Sequence, residues 1–335
     1  MSLAKSILFC GAMFLALSAD ASEVAIDWTE VGNPGNTADP VDGNSLVGGI
    51  QHLGAVPYTF FIDKFDVTVN QYVAFLNAKD PTGVNSLGLY STNMNSSPFG
   101  TINYTAGNQS GSKYSAMAFQ GSKPATYTNW YNSIRFANWL NNGQGNGDTE
   151  TGAYTLGALG SDHIPFNPPL THNSGAHVWL PTENEWYKAA YYNPATSSYF
   201  QYPTSSNTAP TSSPPTPTPN SANYLHAEID NSGFSDVGAY NGTTSPYGAF
   251  DMGGNVSQWN EAQIFGSFRV FRGGSFGSHQ ASDLLSSSLS FAGPTNEIFF
   301  TGFRVASAIP EPSTFALAAF GFAGLAAWGW RRRKR

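Results

Sequence analysis

The sequence predicts a globular, loop-rich fold that mixes helices and strands, in a chain long enough for one large domain or two small ones. Three segments carry helix-start signals, four short runs carry strand signals, and long stretches rich in Gly, Asn and Ser separate them. Composition agrees: 14% aromatic residues and 35 glycines against 11% charged residues describe a chain that buries rings among irregular backbone, the opposite of a disordered bias.

The helices come in order along the chain. Thr68-Val69-Asn70-Gln71 fits a capping box, in which the Thr68 hydroxyl and the Gln71 amide satisfy free backbone N–H groups; Val69, Tyr72, Val73 and Leu76 then recur at helical spacing. A second helix is predicted from Asn129 to Leu140, with Trp130, Ile134 and Ala137 on one face and Asn141-Asn142-Gly143 as its stop. Pro181-Thr182-Glu183-Asn184-Glu185 repeats the capping box, and Trp186 to Tyr192 continues it. Strands are expected at Tyr58 to Asp66, Val178 to Leu180, Arg269 to Gly273 and Gly302 to Ala306. Thr196 to Asn220, with four prolines from Pro214 to Pro219, reads as a solvated loop of polyproline character.

Both chain ends read as processed. Residues 1–21 form a signal peptide: Lys5, an apolar core from Ile7 to Leu17, and Ala19-Asp20-Ala21 before a mature start near Ser22. At the other end, Pro310-Glu311-Pro312 precedes an uncharged apolar run from Thr314 to Trp330 and the basic tail Arg331 to Arg335. That run is long enough for a transmembrane helix, which needs about 17–25 residues, and the tail would stay on the cytoplasmic side. The order of parts over 309–335 resembles the PEP-CTERM sorting signal of exported proteins in Gram-negative bacteria that make exopolysaccharide. The resemblance implies a partner, an exosortase-type membrane protease, with delivery across the inner membrane to the cell surface or extracellular matrix. An ordinary C-terminal anchor is the alternative.

Without the leader and the five tail charges, nine basic residues stand against 21 acidic ones, a net of −12. Nucleic acid is thereby excluded as a partner, because its affinity rests on Lys and Arg against phosphate. The only cysteine, Cys10, lies in the leader, so the exported chain has no disulfide, thiolate metal site or cysteine nucleophile.

Six motifs carry a second resemblance: Asp66 to Tyr72, Pro124 to Trp130, Leu180 to Trp186, Asp251 to Trp259, Arg272 to Phe276, and Gly302-Phe303-Arg304. Together they resemble the formylglycine-generating-enzyme, or sulfatase-modifying-factor, family across roughly Val31 to Ala306, and the domain is expected to fill 22–308 and to include the 196–220 loop. The resemblance implies one domain, a variant of the C-type-lectin-like α+β fold with little regular secondary structure. Trp130, Trp139, Trp179, Trp186 and Trp259 read as core, and Arg272 and Arg304 as partly buried guanidinium forks bonded to carboxylates or carbonyls.

Active members of the family hold copper(I) on two cysteines that follow the Arg-Gly-Gly-Ser motif. Here those positions fall on Ser278 and Asp283, so no catalytic residue and no copper are expected: soft copper(I) selects thiolate. A Ser278/His279/Asp283 hydrolase is disfavoured because residues so close in sequence rarely point at one another. His163, His172 and His177 are read as solvated loop histidines, without the facial-triad pattern of the family's iron-dependent relatives. The resemblance also implies structural Ca²⁺. One site would use Asp251, the carbonyls of Gly254 and Val256, and Gln258; another would use Asn223 and Tyr224 with an oxygen ligand near Ser232.

Three functions follow as expectations. The first is a non-catalytic, surface-displayed module that binds exopolysaccharide or another matrix component, since long loops of Asn, Ser, Tyr and Gly suit recognition. The others are a metal-dependent oxidoreductase of the same family and a structural envelope or matrix protein. Replacing Glu311 with Gln, or deleting Arg331 to Arg335, should leave folding unchanged and misplace the protein. Cell fractionation checks this, and normal surface delivery of either variant contradicts it.

Overall fold

The computed structural model describes residues 23–41, 52–160, 164–165, 168–227 and 233–308. The signal peptide at 1–21 and the segment 309–335, with its apolar run Thr314 to Trp330, lie outside the described residues. Among the described residues no helix is long and apolar enough to cross a membrane.

In chain order the elements are β1 (Trp28–Val31), β2 (Phe60–Asp63), α1 (Val69–Lys79), the single turn α2 (Asn93–Ser96), β3 (Ile102–Tyr104), β4 (Tyr114–Ala116), α3 (Trp130–Asn141), β5 (Val178–Trp179) and α4 (Glu183–Tyr191). The short strands β6 (Tyr192–Asn193), β7 (Ser198–Tyr199), β8 (Thr211–Ser212) and β9 (Ser221–Ala222) follow, then β10 (Ser257–Ile264), β11 (Phe268–Arg272), a 3₁₀ turn at Ala281–Leu284, β12 (Ser290–Ala292), β13 (Thr301–Phe303) and β14 (Ala306–Ser307). Two four-stranded sheets organise the domain, one in the order β1-β2-β14-β5 and the other β12-β11-β10-β13. The second is antiparallel except for β10 and β13, which pair in parallel.

The predicted helices form where their caps place them. Thr68 Oγ1 accepts from Gln71 N at 3.3 Å while Gln71 Oε1 accepts from Thr68 N at 2.7 Å, and Thr182 and Glu185 repeat the exchange at 3.2 and 2.8 Å. Asn129 caps α3 through Asn132 N at 2.9 Å. Every residue of α3 except Asn141 is buried, including Asn132, Arg135 and Asn138. These polar side chains do work that strands do elsewhere: Asn138 bonds Thr149 O, Tyr154 O and Tyr154 N, which fixes the 148–154 loop against the helix.

The sequence does not announce β10, although it is the longest strand. Ser257, Gln258, Asn260 and Glu261 are all buried, so the strand lacks the apolar alternation that marks a half-buried one. Its polar groups are held by tryptophan indoles instead. Trp186 Nε1 donates to Gln258 Oε1 at 2.8 Å and Trp130 Nε1 to Asn260 O at 2.9 Å, while Trp259 itself donates to Thr128 O at 3.0 Å. Trp130, Trp186 and Trp259 are fully enclosed. The 196–220 segment is mostly exposed, as expected of a solvated loop, but it is anchored: Tyr224 OH donates to Pro210 O and Tyr240 OH to Ser213 O, each at 2.6 Å.

Arg304 joins the two sheets. Its Nε donates to Gln258 Oε1 at 2.7 Å, Nη1 to Asp63 O at 2.8 Å, and Nη2 to Phe250 O at 2.9 Å and Asp66 Oδ1 at 3.3 Å. Arg304, Gln258 and Asp66 are all buried, which goes beyond the partial burial the sequence suggested for Arg304. Replacing Arg304 with Met should therefore destabilise the domain by about 3–5 kcal/mol, since it strands a buried carboxylate and three further acceptors. Urea unfolding of the variant measures this.

Candidate binding cleft

A cleft of about 480 Å³ opens between the end of β11, β12 and the loops around them. Phe99, Phe271, Phe299 and Phe300 form one wall; Ser275, Ser278, Ser288 and Ser290 supply hydroxyls; His226, His279 and Asp283 complete the lining. The aromatic wall is a packed unit, with Phe99 and Phe299 stacked at 4.6 Å between centroids and Phe300 edge-on to Phe299 at 5.0 Å.

The walls are positioned from beneath by Arg272. Its Nε pairs with Glu183 at the start of α4, and its Nη1 donates to Ser286 O at 2.9 Å and Ser288 O at 2.7 Å, tying the loop before β12 to the sheet. Glu183 also accepts from Asn260 of β10. The Gly273-Gly274 turn admits no side chain: a Cβ on Gly273 would meet Met252 O at 2.6 Å, and one on Gly274 would meet Leu284 Cδ1 at 2.8 Å. That second Cβ would also lie 3.0 Å from Ser278 Oγ and 3.2 Å from Asp283 O, so the two positions expected to replace the family's cysteines converge on Gly274.

Ser278 is occupied with structure. Its Oγ accepts from Ser275 N at 3.0 Å, its own N–H donates to Ser275 O at 3.0 Å, and its carbonyl accepts from Leu225 N at 3.0 Å. The hydroxyl closes a turn and has no bond to His279, which is exposed. Copper(I) chemistry does not fit, because serine, histidine and carboxylate line the cleft and no thiolate does. Among the described residues, no group of three or more His, Cys, Asp or Glu is arranged to hold a metal ion.

His226 is the cleft residue that the sequence concealed. It and Leu225 both take left-handed backbone, with φ of 54° and 55°, in a reversal that no local motif announces. The His226 N–H donates to Phe276 O at 2.8 Å and its ring stands edge-on to Phe276 at 5.5 Å. The loop histidines divide. His163 lies outside the described residues and His177 is exposed, but His172 is not the solvated residue expected. Its ring stacks on Trp179 at 4.6 Å and Nδ1 lies 2.9 Å from Glu261 Oε1, because the buried Glu261 of β10 requires donors and takes them from His172 and Tyr154.

The first expected calcium set is rearranged. Gln258 is turned into the core, where its Oε1 already receives Trp186 and the Arg304 guanidinium and its Nε2 donates to Asp251 O at 2.8 Å. An acceptor saturated by a cation is not offered to a second one, so Gln258 leaves the ligand set. Asp251 Oδ2 accepts from Gly238 N at 2.6 Å, while Gly254, at φ 82°, lets its backbone pass against Asn223. Val256 packs with Phe234 and Phe276. In the second set, the Tyr224 carbonyl accepts from Ser212 Oγ at 2.5 Å and Ser232 lies outside the described residues. Asn223 Oδ1 is buried with no hydrogen-bond partner, which leaves it available to a cation.

Residues 50–309 match the sulfatase-modifying factor enzyme 1-like domain. The chain belongs to that family. Residues 308–334 match the PEP-CTERM protein-sorting motif, so this is an exported, surface-sorted member, and the motif implies processing by an exosortase. Solved structures with a related course of chain include CarF (19% identity, covering 85% of this chain and 99% of that one, TM-score 0.49). Treponema denticola variable protein 1 shows 18% identity over 86% of this chain and 97% of its own, with a TM-score of 0.47. PvdO from Pseudomonas aeruginosa shows 17% over 85% and 92%, with a TM-score of 0.46. Likeness of this degree adds nothing to the family assignment. No curated protein matches the chain.

Burial pushes the Asp251 carboxyl up to about 6 from 3.8, against the opposing pull of the Gly238 amide and Arg304. The folded chain thus retains a proton that the unfolded chain releases. The stability this contributes is complete below the unfolded value and is lost as pH rises through about 6. Asp251→Asn, which keeps an acceptor for Gly238 N–H, should flatten the fall in melting temperature between about pH 4 and pH 6. Thermal unfolding across that range measures it.

Proposed function

We propose that the domain is a non-catalytic recognition module that uses this cleft to bind a component of the extracellular matrix, an exopolysaccharide being the natural class. The observation that carries the reading is the make-up of the cleft, which pairs a wall of phenylalanine rings with a rim of serine hydroxyls and backbone. Rings stack on the apolar faces of sugars while hydroxyls exchange hydrogen bonds with them, and the combination requires no activated group. The sorting signal supports the reading by delivering the domain to the surface where such polymers lie. A structural role without a ligand would leave this lining without purpose.

Binding of the purified protein to the organism's own exopolysaccharide tests the proposal. Phe300→Ala should weaken it about tenfold through loss of stacking surface, and Ser290→Trp should block the cleft from its exposed edge strand with little change in melting temperature; because Phe300 also packs on Phe271 and Phe299, its variant is assayed well below its own melting temperature. Unchanged binding by both variants, or no binding by the parent protein, overturns the reading.

A further inference from the structure

The β10–β11 hairpin ends in a patch of exposed aromatic surface. Phe265, Phe268 and Phe291 are 62%, 38% and 41% exposed, yet they touch one another: Phe265 and Phe268 each stand edge-on to Phe291, at 5.3 and 5.5 Å. Phe291 lies on β12, the edge strand of its sheet, opposite Val270. Val270 and Ile264 form a small buried cluster with Ala262 and Leu289, so the rings extend an apolar seam outward from a core.

The turn at the tip makes the aromatic more telling. Ile264 pairs with Phe268 across Phe265-Gly266-Ser267, and both Phe265 and Gly266 have left-handed backbone, with φ of 47° and 83°. Glycine takes that conformation freely and asparagine tolerates it, whereas a bulky aromatic there is an outlier. The fold therefore carries backbone strain in order to present a ring to solvent. Ala262 to Phe268 contains no charged residue.

We propose that this patch is a docking surface for the lipid–water interface of the membrane, used while the chain is still attached through its sorting segment. Ser307 ends β14, and the apolar run begins at Thr314, so six residues separate the domain from that run. Fully extended they reach about 20 Å, which holds the domain against the bilayer surface. The proposal rests on the reading of Thr314 to Trp330 as membrane-inserted. An uncharged aromatic patch partitions into the interfacial region, where phenylalanine is covered without the lysine or arginine that an anionic partner would call for.

The full-length chain with Cys10→Ser and Ser267→Cys, labelled with an environment-sensitive fluorophore and reconstituted in phosphatidylcholine vesicles carrying quencher lipids, tests this. The probe at 267 should shift to the blue and lose roughly half its emission to the quencher. A probe at Ser110, in the exposed β3–β4 loop, should do neither. Phe265→Asn, which suits the left-handed turn, should abolish the quenching without lowering the melting temperature. Failure of the chain to associate with vesicles removes the premise and the proposal with it. Equal quenching at 110 and 267, quenching unaffected by Phe265→Asn, or a blue shift that depends on protein concentration without lipid (a second copy covering the patch) also overturns it.

Discussion

Gln258 and Arg304 meet at the point on which the rest of the domain depends. One amide oxygen takes hydrogen bonds from a guanidinium and an indole, and the guanidinium reaches on to Asp63, Asp66 and Phe250. In this way β10, the end of β2, α4 and the loop before Asp251 share one buried centre. Strands this short have few ladder bonds with which to specify how two sheets sit together. A planar donor with five N–H groups in fixed directions can do so, provided all its acceptors are in place.

The same principle recurs beneath the cleft. Arg272 takes Glu183 from α4 and two carbonyls from the loop before β12, while Arg269 lies over the Trp130 ring at 3.6 Å and bonds Pro169, Leu170 and Glu261 through carbonyls. Three buried arginines thus substitute for the regular structure that the chain lacks. Their partners belong to the framework, and the cleft is continuous with it: Arg272 and the core residue Phe271 are themselves part of the lining, while Ser290 and His279 stand exposed at its edge. A fold supported from below leaves its upper loops open to different chemistries, and this chain lines them with rings and hydroxyls.

The legible parts of the sequence were those governed by local rules. Thr68 with Gln71 and Thr182 with Glu185 announce helix starts because capping is an exchange between residues three apart. Ser278 and Asp283 could be placed beside the cleft because they follow the glycine turn closely. What escaped was set by distant partners. Nothing near Gln258 foretells that Arg304, 46 residues on, will claim the oxygen a metal was expected to use. His172 looks like a loop residue until Glu261, 89 residues away, is seen to need it. The left-handed pair Leu225-His226 is imposed by bonds to Ser278 and Phe276, and neither residue type advertises that backbone.

The position of β14 has a mechanical meaning. This final strand lies between β2 and β5, with Ala306 facing Ile62 on one side and Trp179 on the other, and the sorting segment begins immediately after it. For as long as the sorting segment holds the chain, tension on it enters the domain at a strand paired along both edges. It loads those bonds in shear and spares the hinge of a peripheral hairpin.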